Sequence, residues 1–137
     1  MNASNYDDAM SRLLREDSRY DAEAYDFLRE ALDFTIKQLD KPARGTLRHV
    51  TGGELLEGVR QYALQEFGPM ALTVLHRWGV RRCEDFGEMV FNLVRVSIMS
   101  KTEEDRKEDF AGGYDFHAAF RRPFLPSGRT ASRSGAS

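Results

Sequence analysis

A chain of 137 residues and 15.7 kDa is one domain's worth, long enough to bury a core without staples. Hydrophobic residues make up 41% and charged residues 31%, and the fifteen aromatics, nine of them Phe, exclude an intrinsically disordered chain. The net charge is −2, a single cysteine (Cys83) excludes an internal disulfide framework or a multi-cysteine metal site, and no apolar run approaches the roughly 18 residues of a membrane span.

In chain order, Tyr6, Met10, Leu13 and Leu14 predict a short amphipathic helix over Tyr6 to Arg15. Before it, MNASNYDDAM lacks a basic stretch followed by an apolar one, which predicts no secretory signal and a cytoplasmic protein. A stronger helix is expected from Ala22 to Leu39, where Tyr25, Leu28, Leu32, Ile36 and Leu39 recur at three- and four-residue steps behind an Asp21 N-cap. Asp40 to Arg48, with Pro42 and Gly45, reads as a loop. Thr51-Gly-Gly-Glu54 fits a capping box and opens a helix over 52–67, with Leu55, Val59, Tyr62, Ala63 and Phe67 on one face. Gly68 and Pro69 separate it from a helix over 69–78, and Gly79 is a natural stop. A fifth helix runs to Arg95 from Cys83 or Glu84, with Phe86, Met89, Val90, Leu93 and Val94 inward. Val94, Val96 and Ile98 then alternate with Arg95 and Ser97, a short strand signal, and Thr102 to Asp105 is either a second cap or the tip of a turn. Phe110, Tyr114, Phe116 and Phe120 are apolar beads around Gly112-Gly113 that wrap back onto the core.

The fold expected is therefore mainly α, a compact bundle of about five helices. A small C-terminal β-hairpin, if formed, would make it winged-helix-like. The organisation reads as an N-terminal helical segment (1–20), one globular helical domain (21–120) and a disordered basic tail (121–137). Charge is uneven along it. Residues 1–40 carry ten acids and five bases, 41–50 carry three bases and no acid, 101–120 carry six acids and three bases, and the last seventeen carry four arginines and no acid.

The run HVTGGELLEGVRQYALQEFGPMALTVLHRWGV, with EDFGEMVFNLV, KTEEDRKEDF and GYDF after it, resembles a family of uncharacterised bacterial proteins found in Planctomycetes and Verrucomicrobia. The resemblance spans roughly Tyr20 to Phe120 and implies one cytoplasmic bacterial domain, with no reaction or ligand attached. Cys83 stands where that family's pattern has a Thr or Ser helix cap, which speaks against a special role for its thiol.

No constellation converges on catalysis. His49, His76 and His117 are 27 and 41 residues apart and form no metal-ligand pair, and Asp115-Phe116-His117 alone is a weak signal. Cys83 beside Arg81 and Arg82 at a helix start could favour a thiolate, but Glu84 and Asp85 oppose that and no histidine is near in sequence, so a helix-cap or half-buried cysteine is the simpler reading. Gly52-Gly53 belongs to no phosphate-loop pattern, and the Asp85-Phe86-Gly87 triplet lacks every other kinase element. The acids of KTEEDRKEDF read as a solvated face. No enzyme, cofactor, metal or small-molecule substrate is expected.

Three helices followed by a strand and a charged turn have the order of a winged-helix domain, yet the third helix begins Glu84-Asp85 and would meet phosphate badly. Arg77, Arg81 and Arg82, with Arg48, form the compact basic cluster such a reader would use. The leading expectation is a non-enzymatic protein-binding module, engaging a protein partner or a second copy, with nucleic acid disfavoured and no membrane contact. Its surface would be Trp78, Arg77, Arg81 and Arg82 together with Tyr114, Phe116 and Phe120, because aromatics and arginines are the usual anchors of interfaces.

Overall fold

A computed structural model describes residues 3–39, 50–99 and 110–126. Five α-helices follow in order: α1 (Ala3–Glu16), α2 (Ala22–Leu39), α3 (Gly52–Phe67), α4 (Ala71–Arg77) and α5 (Cys83–Arg95). A 3₁₀ turn, Gly68–Met70, joins α3 to α4, and a π-helical turn (His117–Arg121) with a second 3₁₀ turn (Arg122–Phe124) closes the described chain. No described helix is long and apolar enough to cross a membrane.

The helix starts follow the expected local chemistry. The Glu23 amide donates to Asp21 Oδ1 at 2.9 Å, capping α2. At α3 the capping box is complete: the Glu54 amide donates to Thr51 Oγ1 and the Thr51 amide to Glu54 Oε1, both at 3.0 Å. α4 ends where Gly79 predicts. The Val80 amide reaches the Leu75 carbonyl and the Gly79 amide the His76 carbonyl, the paired bonds of a Schellman turn.

α2 and α3 cross at the closest approach in the bundle. A Cβ on Gly58 would sit 1.7 Å from Thr35 Oγ1, whose hydroxyl donates to the Ala31 carbonyl of its own helix at 2.7 Å. Only hydrogen at position 58 lets the two helices touch. α5 turns one face into the core: Cys83, Phe86, Gly87, Met89, Val90, Asn92 and Leu93 are all buried. α1 packs on the rest: Met10 and Leu13 are buried in the common cluster and the Tyr6 hydroxyl donates to Asp26 on α2.

The described residues contain no strand. Val94 and Arg95 finish α5, after which the Ile98 amide bonds the Leu93 carbonyl and the Ser97 amide the Val94 carbonyl, with Ser97 in the left-handed region at φ 66°. This is a second Schellman-type helix end. The apparent alternation arises because that turn brings Val96 and Ile98 back onto the core while Ser97 points out. The hairpin expectation fails over these residues, and Thr102 to Asp105 lies outside the described ones, as do Asp40 to Arg48, His49 and residues 127–137. Arg121 and Arg122 lie in helical turns.

Nine of the aromatics form two clusters. Phe27 packs on Tyr62, Phe67 and Trp78 with ring centroids 5.5 to 5.7 Å apart, and Phe34 adds to Tyr62. Phe116 contacts Phe86, Tyr114 and Phe120, the last edge-on at 5.1 Å. Each such pair contributes roughly 0.5–1.5 kcal/mol beyond its buried area.

Gly58→Ala should cost about 2 kcal/mol in urea unfolding, because overpacking at a helix crossing outweighs the better helix propensity of Ala. In the Thr35→Ala/Gly58→Ala double variant, where the clashing hydroxyl is gone, the added cost of Gly58→Ala should shrink measurably.

Candidate functional site

The seven residues singled out from the sequence do not form one surface. Phe116 and Phe120 are buried, Phe120 completely, and they carry the second aromatic cluster from inside. Their four-residue spacing on a terminal segment marks self-docking, so they cannot anchor a partner. Tyr114 is also engaged at home: its hydroxyl donates to the Leu56 carbonyl at 2.8 Å, and burial pushes its ionisation far above the ordinary tyrosine value. Trp78 is half-buried, tilted against Phe27 and edge-on to Phe67, with its indole N–H donating to Glu23 at 3.3 Å. Arg77, Arg81 and Arg82 are exposed. Arg48 lies outside the described residues.

Arg81 and Arg82 instead join residues from the α1–α2 turn. An open depression of about 560 Å³ is lined by Arg19, Tyr20, Gly79, Arg81, Arg82 and Asp85. Its floor is built by backbone contact between two turns. The Asp21 amide donates to the Trp78 carbonyl at 3.0 Å, and a Cβ on Gly79 (φ 93°) would stand 2.2 Å from the Arg19 carbonyl oxygen. Gly79 thus serves both the helix stop and this close approach.

Asp85 organises the depression. Its Oδ2 accepts the amides of Arg81 at 2.8 Å and Arg82 at 3.2 Å, satisfying N–H groups at the start of α5, and its Oδ1 accepts the Tyr20 hydroxyl at 2.6 Å. Burial, then that bond, pushes the Tyr20 hydroxyl well above its ordinary range, so it stays a proton donor. The arginines differ. Arg19 is held by Asp17 at 2.6 Å and by Glu88 at 3.3 Å and lies over the Tyr20 ring at 5.1 Å. Arg81 and Arg82 have no carboxylate against their guanidinium groups among the described residues. The His76 imidazole is harder to protonate than usual, first through burial and then through the positive charge of Arg81 and His117.

Beneath the rim runs a polar strut. Asn92 Nδ2 donates to Asp17 Oδ2 and to the Tyr25 hydroxyl, each at 3.0 Å, while Arg95 donates to Asn92 Oδ1 at 2.8 Å and pairs with Glu16. The Arg19 hydrogen bond, with help from Asn92, holds the Asp17 carboxyl well below the usual carboxylate range despite some burial.

Cys83 is neither a helix cap nor half-buried. It is the first residue of α5, 1% exposed, with its thiol against the Tyr114 carbonyl at 3.5 Å. Burial raises its pKa, the opposite of an activated nucleophile. Among the described residues no group of three or more His, Cys, Asp or Glu side chains is placed to hold a metal ion.

Arg19, Tyr20 and the role of Asp85 escape a reading of the sequence. Asp85 at the third position of α5 carries a usable hint, since a carboxylate there commonly caps, but nothing local pairs it with a tyrosine 65 residues away. No protein-family model, curated protein or solved structure matches this chain.

Asp17 ties the strut to acid stability. Its ionised form is favoured in the fold, so its contribution is complete well above pH 3.8, its unfolded-like value, and drains away as pH falls through that value and below. The melting temperature of the native chain should therefore fall steadily below about pH 4, and Asp17→Asn should be less stable at pH 7 yet show a shallower acid slope.

Proposed function

We propose that this chain is a non-enzymatic, cytoplasmic protein-binding module that engages its partner through the arginine corner where the α4–α5 turn meets the α1–α2 turn. One observation carries the reading: Arg81 and Arg82 are adjacent and exposed on a backbone fixed by Asp85, at the edge of an open depression, with their charges unpaired among the described residues. Exposed cations on a rigid frame give an interface both electrostatic steering and geometric definition. Trp78 and Arg77 flank the corner and belong to it, whereas the Tyr114–Phe120 segment supports the core. The two docked turns hold the backbone, so only side chains need ordering on binding.

The second reading is a winged-helix-like nucleic-acid binder using Arg77, Arg81 and Arg82. In that arrangement α5 would lie in a groove, but its Cys83, Phe86, Met89, Val90 and Leu93 face the core and little of it is free to meet base edges. Contact would have to run through the turn alone.

Pull-down with tagged full-length chain from native lysate, with and without nuclease, separates the two. Partners should survive nuclease and fall by about tenfold or more with Arg81→Gln/Arg82→Gln, a variant expected to melt at the same temperature as the parent. Partners indifferent to those substitutions would overturn the reading, and partners lost to nuclease would replace it with the nucleic-acid one. If the captured partner is a second copy of the chain, the same two substitutions should abolish self-association.

A further inference from the structure

We infer that the depression between the α1–α2 and α4–α5 turns is a receptor for a short acidic peptide segment, whose side-chain carboxylates pair with the guanidinium groups of Arg81 and Arg82. The inference rests on the protein-binding reading and adds the chemistry of the partner.

Its first support is the state of the one carboxylate in the lining. Asp85 lies beside the two arginines, but its oxygens are engaged by three neutral donors, two backbone amides and the Tyr20 hydroxyl, and it makes no ion pair with either guanidinium. It acts as a structural acceptor. The cations at the rim are left to an outside anion, and a planar guanidinium offers a carboxylate two parallel donors. Arg19 contributes differently. Asp17 and Glu88 fix its position, so it forms a stationary wall and leaves the available positive charge to Arg81 and Arg82.

Size and surroundings decide between kinds of anion. About 560 Å³ in an open form accommodates a few side chains of an extended segment rather than enclosing a small molecule. A nucleic-acid backbone needs a basic track along which successive phosphates can lie. Here the free arginines are bordered by Asp17 and Glu88 on the Arg19 side, so the basic field is a patch and a long polyanion would run onto acids. A peptide presenting two or three neighbouring carboxylates matches a patch of this extent.

Fluorescence anisotropy with fluorescein-labelled hexaglutamate and the full-length chain tests this. Saturable binding is expected, weakening as salt rises, with labelled hexaglutamine failing to bind. Arg81→Gln/Arg82→Gln should weaken hexaglutamate by about tenfold or more with an unchanged melting temperature, and Lys37→Gln, remote from the depression on α2, should leave it unaltered. Hexaglutamate binding no better than hexaglutamine, or equally well to the double variant, overturns the inference. So does displacement by inorganic phosphate or oligothymidylate at concentrations below those at which unlabelled hexaglutamate competes. If lysate partners depend on Arg81 and Arg82 while hexaglutamate does not bind, the protein-binding reading stands and the acidic-segment inference falls.

Discussion

The Asp85 carboxylate is the interaction on which the arrangement of this surface depends. It accepts the Arg81 and Arg82 amides and the Tyr20 hydroxyl, so a single side chain starts α5, fixes the preceding turn and draws in the end of the α1–α2 connection. Hydrogen bonds to an ionised acceptor contribute roughly 1.5–3 kcal/mol each, more than neutral ones. The two turns also meet through the Asp21 amide on the Trp78 carbonyl and through the bare Cα of Gly79 against Arg19. With the backbone held at these points, the side chains of Arg81 and Arg82 are carried outward from a rigid base. A surface charge so mounted loses less freedom on binding than one on a loose loop.

The interior explains why aromatic abundance is a poor guide to an interface in this chain. Phe27, Phe34, Tyr62, Phe67 and Trp78 tie α2, α3 and the end of α4 together, and Phe86, Tyr114, Phe116 and Phe120 lock the C-terminal segment to α5. The close crossing at Gly58 and Thr35 brings α3 near enough to α2 for the first cluster to form. The proposed surface is accordingly defined by charge and by fixed backbone, not by exposed apolar area.

Much of the helical frame is legible in the sequence because its signals are local. Thr51 with Glu54, Asp21, and Gly79 each act within a few residues, and the three- and four-residue apolar steps of α2 and α5 report burial directly. The strand signal at Val94, Val96 and Ile98 misleads because a helix end with Ser97 in the left-handed region also sends alternate residues inward. Part of the candidate surface is legible: Arg81 and Arg82 are exposed polar residues just after a glycine stop. The rest is not, since exposure of Phe116 or Phe120 depends on what the terminal segment packs against, and the Tyr20–Asp85 bond spans 65 residues. Cys83 shows the same limit, because its neighbours in sequence are charged while its neighbours in space are Tyr114 and Gly113.

The most direct test of the account is a map of where an acidic peptide lands. In backbone amide NMR spectra of the full-length chain titrated with hexaglutamate, the largest shift changes should fall on Arg19 to Asp21 and on Trp78 to Asp85, with the C-terminal π-helical turn unmoved. Changes centred on His117 to Leu125, or spread evenly over the basic residues of the chain, would contradict it.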